Sequence, residues 1–311
     1  MSMLHPAEKK DRPLPATVRA SEDEVSSFSA LAGRATLNER QFKQLSAFIE
    51  RELGIKMPVT KKIMLESRLQ KRLRVLRVSS FEEYLELVFG PDGAQSEMLH
   101  MIDAVTTNKT DFFREPDHFR NLLGMILPER YGMDGWGGRE PLRVWSTASS
   151  TGEEPYTLAM VLEEFRSHHS DFSYRILATD ISTDVLERGR QAIYTEDRVE
   201  PVPPAYRQKY LLRSRNRSDG LIRVKPELRS RVTFQRVNLM SDDFGLREQF
   251  EVIFCRNVII YFDRSNQIRL IRKLFDHLRP GGYLFLGHSE TLAGVELPFR
   301  SVAPTIYRKP E

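Results

Sequence analysis

Apolar residues recur at helical spacing along the first third of the chain. Intervals of three and four residues place such positions on one face, so they predict three amphipathic helices. The third helix begins at Ser80, whose hydroxyl is predicted to form a capping box with Glu83. The apolar faces are Phe42, Leu45, Ile49 and Leu53, then Leu65, Leu69, Leu73 and Leu76, then Phe81, Tyr84, Leu85, Val88 and Phe89. A small all-helical domain is therefore expected over residues 36–105.

Residues 1–35 lack this periodicity. They are polar and contain three prolines. A segment of this composition buries too little apolar surface to offset the conformational entropy lost on folding. We expect a disordered leader there.

The hydrophobic pattern changes at about Leu142, where short apolar runs alternate with helical segments. This alternation predicts a mostly parallel sheet with helices on both faces. The predicted strands are Leu142–Ser146, Tyr174–Thr179, Val232–Asn238, Glu251–Cys255, Tyr283–Leu286 and an edge strand within Ser301–Arg308. The predicted helices are Tyr156–His168, Ser182–Gln191 and Arg264–Leu278, the last stopped by Pro280-Gly281-Gly282. Residues 192–231 interrupt the rhythm as an insertion, in which 221–224 is expected to form an antiparallel strand.

The turn after the first predicted strand carries the most chemical information. Residues 146–152 are all small, and small side chains let backbone N–H groups approach a polar ligand at the carboxyl end of a sheet. The neighbouring carboxylates of Glu153 and Glu154 would repel a phosphate. They favour a ligand with positive charge, such as an ammonium or a sulfonium group.

Polar residues also follow the other predicted strands. Asp180 closes the second strand, Asn238 the third, and Arg256 and Asn257 the fourth. Taken singly, each is more typical of a helix cap or a loop residue than of a ligand contact. Because the carboxyl ends of parallel strands meet at one edge, the four together predict one binding crevice, with Asp180 placed to bind a ribose.

Composition limits the classes of protein. The chain has 311 residues, 40% hydrophobic and 29% charged, which is typical of a soluble globular protein. No apolar run reaches the roughly 18 residues of a membrane span, and the first ten residues have no signal-peptide core. The single cysteine, Cys255, is typical of a reducing cytoplasm, and the seven histidines show no metal-ligand spacing. A cytoplasmic protein without membrane insertion or metal is expected.

Basic side chains gather on the second predicted helix, opposite its leucines: Arg68, Lys71, Arg72, Arg74 and Arg77. Such a row is typical of a solvated face, of a surface that follows nucleic-acid phosphates, or of a docking face for an acidic helix. No aromatic residues lie among these cations, which disfavours binding of single-stranded nucleic acid.

Six motifs occur in an order that identifies a family. They are TTNKTDFFRE at 106–115, STGEEPY at 150–156, ATDI at 178–181, VNL at 237–239, FCRNV at 254–258 and GHSE at 287–290. From about residue 36 to 308 the chain resembles the chemotaxis receptor glutamate methyltransferases, the CheR family. The resemblance implies an α/β, Rossmann-like S-adenosylmethionine-dependent methyltransferase domain over 106–311. A β-subdomain is inserted at about 192–231, and the helical domain 36–105 precedes it.

The resemblance also implies the cofactor and the site. S-adenosylmethionine is the expected methyl donor and S-adenosylhomocysteine the product. By position, the implied cofactor contacts are Asn108, Thr110 and Arg114 near the methyl group, Glu153 at the ammonium, Asp180 at the ribose, Asn238 and Leu239 at the adenine, and Arg256 and Asn257 beside cofactor and substrate.

The predicted reaction is methylation of glutamate side chains of chemoreceptors, for adaptation in chemotaxis. A glutamate, with a reference pKa of about 4.3, is already an anion at neutral pH and needs no general base. Catalysis should therefore rest on alignment and on removal of water. Arg114 and Tyr261 are predicted to position the acceptor carboxylate.

The expected partners are the cytoplasmic domains of receptors, which the resemblance places against Arg68, Lys71 and Arg72. A receptor C-terminal peptide at the β-subdomain is a second expected contact, since some members of the family use one. Two alternatives remain: an RNA or small-molecule methyltransferase on the same fold, and a non-catalytic module that senses S-adenosylmethionine. Base methylation, and with it a nucleic-acid partner, is disfavoured because Val258-Ile259-Ile260 precedes Tyr261 where such enzymes tend to carry prolines.

Overall fold

The computed structural model describes residues 35–90 and 96–311. The predicted leader lies outside the described residues except for Ala35. Across the described ranges, no helix combines the length and the apolar character that crossing a membrane requires.

The first described region is helical. Its helices are α1 (Glu39–Leu53), α2 (Lys62–Leu76), α3 (Phe81–Phe89) and α4 (Ser96–Val105), with a 3-10 turn at Val59–Lys61. Helix α1 begins with reciprocal hydrogen bonds between Asn38 and Gln41, and Gly54 ends it with a φ of 67°. The predicted apolar faces pack together in one core, since Phe42, Leu45, Ile49, Leu53, Leu65, Leu69, Leu73, Phe81, Tyr84, Leu85 and Val88 are all buried.

The predicted capping box at Ser80 is half formed. The Ser80 hydroxyl accepts a hydrogen bond from the Glu83 backbone N–H at 3.2 Å. The Glu83 carboxylate, however, accepts from the backbone N–H of Ser79 at 3.0 Å rather than from that of Ser80. The side chain of Glu83 reaches one residue further back than the motif requires.

The rest of the chain alternates strands and helices. The helices are α5 (Pro116–Asn121), continued by a π-helical turn at Leu122–Ile126, α6 (Leu127–Asp134), α7 (Glu153–His168), α8 (Thr183–Gln191), α9 (Pro204–Tyr210), α10 (Pro226–Arg229) and α11 (Arg264–His277). The strands are β1 (Leu142–Thr147), β2 (Tyr174–Asp180), β3 (Ile193–Thr195), β4 (Leu211–Arg213), β5 (Leu221–Val224), β6 (Val232–Arg236), β7 (Phe250–Cys255), β8 (Leu278–Leu286), β9 (Arg300–Ala303) and β10 (Ile306–Arg308).

The main sheet has the strand order β6-β2-β1-β7-β8-β10-β9. The pairs from β6 to β8 are parallel, whereas β10 is antiparallel to both β8 and β9. Chain order reverses at β1, which has β2 on one side and β7 on the other, and such a reversal opens a crevice at the carboxyl ends of the strands. The mostly parallel, Rossmann-like sheet after an all-helical region confirms the predicted fold class.

Each central strand contributes to two cores. In β7 the side chains of Val252 and Phe254 pack into one cluster, while Ile253 and Cys255 pack into the cluster on the other face. Successive strand residues point to opposite faces, so a strand covered by helices on both sides is apolar throughout. All six residues of β7 are buried.

Two predicted elements differ in the structure. Pro280-Gly281-Gly282 lies inside β8, which begins at Leu278 directly after α11. Gly281 has a φ of 74°, and its N–H is hydrogen-bonded to carbonyls of Lys309 and Pro310, so this motif bends a strand rather than forming a loop. The predicted edge strand within Ser301–Arg308 is two short strands, because the chain turns at Thr305 with a φ of 57°.

The inserted segment forms a second, antiparallel sheet with the order β3-β5-β4. Its central strand β5 coincides with the predicted strand 221–224. Alternate residues Ile222 and Val224 are buried and join the main core, while Leu221 and Arg223 are exposed.

Candidate functional site

A cavity of about 300 Å³ lies at the carboxyl edge of the main sheet. This volume is at the lower end of the range for small-molecule sites. The ends of β1, β2 and β7 form one wall, and the first helical region forms the other. The predicted site residues that line the cavity are Asn108, Thr110, Arg114, Asp180, Asn238, Leu239, Arg256, Asn257 and Tyr261.

The turn after β1 owes its shape to left-handed backbone. Ala148 and Ser150 have φ angles of 50°, and Gly152 has one of 98°. Two such angles at residues with a Cβ indicate local strain that the surroundings hold in place. The backbone N–H of Ser150 donates to the Asp180 carboxylate at 2.9 Å, and the Ser150 hydroxyl donates to the Asn108 carbonyl at 2.9 Å.

The two carboxylates at the start of α7 point to different places. Glu153 is 1% exposed and lies outside the lining of the cavity. Its carboxylate accepts hydrogen bonds from Arg198 at 2.5 Å and from the hydroxyl of Thr151 at 2.6 Å. In the structure this side chain is directed toward the inserted segment, outside the cavity lining, and its predicted contact with the ammonium stays a prediction.

Glu154 is the carboxylate that lines the cavity. It accepts a hydrogen bond from the Ser146 hydroxyl at 2.7 Å, and its second oxygen lies 3.5 Å from Nε of Arg256. Burial raises the pKa of Glu154 above its ordinary value, while the charge of Arg256 acts in the opposite direction. Burying a carboxylate in this way is costly unless a cation balances it, so Glu154 is suited to a cationic ligand group.

Asp180 lies across the cavity at the end of β2. Its oxygens accept backbone hydrogen bonds from Ser150 at 2.9 Å and from Ser182 at 3.0 Å. Burial raises its pKa, and these N–H donors oppose the change. The two bonds hold the carboxylate between the loops that follow β1 and β2. The sequence predicted a ribose contact at this position.

Residues 106–111 and Arg114 line the cavity. Phe113 and Glu115 both have left-handed φ angles, 53° and 56°, on either side of Arg114. The Arg114 guanidinium donates to the Lys109 carbonyl at 3.2 Å. Left-handed neighbours turn the chain sharply at this residue, so the segment that carries Arg114 has a fixed path.

The buried side chain of Arg256 connects the segment of Arg114 to the sheet. Its side chain is 1% exposed and lies against the rings of Phe119 and Phe254. It donates to the backbone carbonyl of Arg114 at 2.5 Å. Its guanidinium also lies 3.4 Å from Glu115 and 3.5 Å from Glu154. The residue thus connects the segment of Arg114 to the sheet. A residue that only contacted the substrate would not need these bonds.

The loop that carries Asn257 and Tyr261 is held by one carboxylate. Glu290, from the GHSE motif, accepts backbone N–H groups of Gly287 at 2.6 Å, Asn257 at 2.8 Å and Ile259 at 3.0 Å. Asn257 takes a φ of 57° within this loop. A carboxylate that accepts several N–H groups fixes the loop geometry. The resemblance to the family included this motif without a role for Glu290.

The second wall comes from the helical region. Leu53, Ile55, Met57 and Met64 line it with apolar side chains, and Lys61 adds a cation. Ile55 forms an antiparallel bridge with Phe262, and the Lys56 N–H donates to the Tyr261 carbonyl at 2.9 Å. The side-chain amide of Asn238 donates to the Glu52 carbonyl at 2.8 Å. The sequence pattern contained no signal for this wall, since these residues belong to the packing of a separate helical core.

The structure divides the predicted basic residues of α2 into some that make internal contacts and some that are exposed. Arg68 donates to the carbonyls of Val105 at 2.5 Å and Thr106 at 2.9 Å. Arg72 forms an ion pair with Glu97 in which both carboxylate oxygens accept hydrogen bonds. Lys71, by contrast, is exposed. Arg68 and Arg72 therefore also make internal contacts that hold α2 against α4, and their predicted role in receptor binding stays a prediction.

Comparison with known proteins gives consistent matches over both regions. The family model described as "CheR methyltransferase, all-alpha domain" matches residues 40–106, and "CheR methyltransferase, SAM binding domain" matches residues 108–308. A chemotaxis protein methyltransferase of Klebsiella aerogenes is 37% identical over 94% of this chain and 97% of its own. Similar relatives are chemotaxis protein methyltransferase 2 of Pseudomonas aeruginosa, at 38% over 86% and 91%, and the Escherichia coli protein, at 36% over 88% and 92%.

Proposed function

The chain belongs to the CheR methyltransferase family, and on this premise we propose that it transfers methyl groups from S-adenosylmethionine to glutamate side chains of chemoreceptors. The products are glutamate methyl esters and S-adenosylhomocysteine. The proposed setting is adaptation of receptors in the cytoplasm.

The residues of the sheet wall fit the cofactor. Glu154 is proposed to pair with its ammonium group, the role that the sequence predicted for Glu153, and Asp180 to accept its ribose hydroxyls. Asn108, Thr110, Asn238, Leu239 and Asn257 are proposed to contact the rest of it. When bound, the cofactor supplies an electrophilic methyl group on a sulfonium. Arg256, which also lines the cavity, is proposed to hold the segment of Arg114 in place through the backbone bond described above.

The charge of the cavity carries the proposal for the acceptor. The cations Lys61, Lys109, Arg114 and Arg256 line it beside the carboxylates of Asp111, Glu154 and Asp180, so the cavity can pair both a cationic group of the cofactor and an anionic acceptor. Among the described lining residues there is no histidine or cysteine. A glutamate carboxylate is an anion at neutral pH and needs no base. Arg114 and Tyr261 therefore position it, while the apolar helical wall excludes water.

The proposed receptor contact is a row on the outside of α2, which we call the outer row. It consists of Ile63, Ser67, Lys71 and Val75 on α2 and of Val59 in the 3-10 turn before it, each four residues from the next, and all five are exposed. Residues four apart are neighbours on a helix surface, and the part of the row on α2 spans about 18 Å at 1.5 Å per residue. Val59, Ile63 and Val75 are 74%, 72% and 60% exposed. Such a face, apolar with a lysine, suits an amphipathic acidic helix.

The outer row belongs to the same helical segment that lines the cavity. On the same helical segment, Lys61 and Met64 line the cavity. A receptor helix on the outer row would therefore run beside the cavity mouth, where one of its glutamates can enter. A receptor-tail peptide at the β3-β5-β4 sheet remains a separate proposal, based on family resemblance.

The decisive experiment is transfer of labelled methyl from S-adenosylmethionine to a purified receptor cytoplasmic domain. We expect label that is released by mild base, as an ester requires, and lost when the receptor glutamates are replaced by alanine. Base-stable label, or label on RNA instead of receptor, would indicate a different methyltransferase. Cofactor binding without transfer to any receptor would indicate a sensing module.

A further inference from the structure

Three potential metal ligands meet behind the segment that carries Arg114. They are the carboxylate of Glu115, the imidazole of His118 on α5 and the imidazole of His288 after β8, and their ligand atoms all lie within 4.8 Å of one another. None of the three lines the cavity. His288 is distant in sequence from the other two, so spacing along the chain predicted no metal site.

Hydrogen bonding assigns the tautomer of His118. Nε2 lies 2.8 Å from the hydroxyl of Thr305, and that hydroxyl donates its own hydrogen to the Pro304 carbonyl at 2.7 Å. With the hydroxyl hydrogen directed at Pro304, the Thr305 oxygen accepts from His118, and on this arrangement we assign the ring proton to Nε2. The other nitrogen, Nδ1, has a free lone pair.

That lone pair faces another acceptor. Nδ1 of His118 lies 3.5 Å from Oε2 of Glu115. Among the described residues neither atom has a hydrogen-bond partner, and the His118 side chain is 1% exposed. Buried polar atoms are nearly always paired. The Arg256 guanidinium lies 3.4 Å from Oε2 of Glu115, whereas a cation between the two facing acceptors would pair both of them.

The separation of these two atoms matches the ligand sphere of zinc. Ligands about 2.1 Å from a tetrahedral ion lie about 3.4 Å from each other. The 3.5 Å between Nδ1 and Oε2 therefore places an ion at bonding distance from both. His288 is exposed, so its ring can turn to supply a third ligand without disturbing the core. The bond from Nε2 to Thr305 is the outer contact that commonly orients a ligating histidine.

We propose that Glu115, His118 and His288 bind a divalent transition-metal ion of the zinc class, with water in the fourth position. Two imidazoles and one carboxylate are typical ligands for such ions. The guanidinium of Arg256, 3.4 Å from Oε2 of Glu115, opposes the ion and keeps its affinity moderate. The ion ties the loop after β8 to the segment that carries Arg114.

The test uses the full chain without a histidine tag, freed of metal by chelation. Titration with Zn²⁺ in a calorimeter should show one equivalent bound, and Co²⁺ should give the visible absorption of a tetrahedral site. His288→Ala should weaken binding at least tenfold, and Thr305→Val should weaken it roughly 10–100-fold through the outer contact. His100→Ala, which removes another exposed histidine, should leave binding unchanged.

Absence of binding to the wild-type protein overturns the proposal, as does equal binding by wild type and His288→Ala. A nitrogen NMR signal showing both ring nitrogens of His118 protonated at neutral pH overturns it as well, because an ion pair with Glu115 then replaces the metal. Cofactor affinity, measured separately, shows that each variant is folded. The metal titration does not depend on whether the chain methylates receptors.

Discussion

The two walls of the cavity differ in how their residues are held. In the sheet wall, Glu154 and Asp180 are carboxylates fixed by hydrogen bonds from Ser146, Ser150 and Ser182. In the helical wall, Leu53, Ile55, Met57 and Met64 contribute apolar contacts. Methionine side chains are flexible and adapt to irregular partners. The sheet wall therefore suits recognition of one charged cofactor, and the helical wall suits exclusion of water.

This difference predicts unequal effects of substitution. Changes to fixed polar groups should reduce chemistry or cofactor affinity by large factors, because alignment and charge pairing depend on position. Changes on the outer surface of the helical region should act on receptor encounter alone.

The largest effect is expected for Arg114, where the two walls meet. Arg114→Ala should lower kcat at least about 100-fold, because misaligned reactants lose the advantage of proximity. The melting temperature should change little, since the guanidinium makes one hydrogen bond, to the Lys109 carbonyl. Arg120→Ala is the matched control, as Arg120 is 67% exposed on α5. Near-normal transfer by Arg114→Ala would rule out the positioning role.

The adjacent glutamates sharpen the comparison within the sheet wall. Glu154→Gln should weaken S-adenosylmethionine binding by about 1.5–3 kcal/mol, the range for a hydrogen bond to a charged group. Glu153→Gln should leave this affinity nearly unchanged and lower stability instead, because Glu153 pairs with Arg198 away from the cavity. Calorimetry on both variants decides between them. The reverse ranking would restore Glu153 as the ammonium ligand.

Cofactor affinity should also depend on pH. Burial raises the pKa of Glu154 and of Asp180 in the free protein, and pairing with an ammonium requires the charged form of Glu154. Below the raised pKa, Glu154 is protonated, and binding of the ammonium must displace this proton. Affinity for the cofactor should therefore fall as pH is lowered through the raised pKa and should be constant above it. Glu154→Gln should show a shallower dependence, with the part due to Asp180 remaining. Parallel profiles for both proteins would contradict this origin.

The smallest effect is expected on the outer row. Ile63→Glu should slow receptor methylation several-fold and leave cofactor binding unchanged, because the residue is 72% exposed and lies outside the cavity lining. Met133→Glu replaces an equally exposed apolar residue on α6 and serves as the control. Lys71→Glu should act like Ile63→Glu through lost charge complementarity. If Ile63→Glu and Met133→Glu behave alike, the outer row is a solvated face.

Periodicity predicted the fold well where each element has one dominant signal. The apolar run of β7 and the stripe of α1 gave the right elements, because burial alone determines them. Chain order also gave most of the crevice, since parallel strands end at one edge. Neither periodicity nor chain order distinguishes Glu153 from Glu154. Consecutive side chains on a helix point in directions about 100° apart, so the choice between the two depends on the exact position of the helix start.

The same limit applies to contacts between regions. Arg68 and Arg72 look alike in a helical pattern whether they face solvent or an internal acceptor, and their partners, the Val105 carbonyl and the Glu97 carboxylate, come from another helix. The ligands Glu115 and His288 meet through the packing of the loop after β8. Pairings of this kind depend on tertiary structure and produce no periodic pattern in the sequence.

The bridge between Ile55 and Phe262 limits how far the chain can be shortened. Main-chain bonds there and at Lys56, together with the contact between Asn238 and Glu52, join the helical region to two loops of the sheet, after β6 and after β7. A fragment that begins at residue 106 would expose these donors and acceptors to water and leave one side of the cavity open. A minimal catalyst built from this scaffold must therefore keep the helices, even if its acceptor is a short peptide.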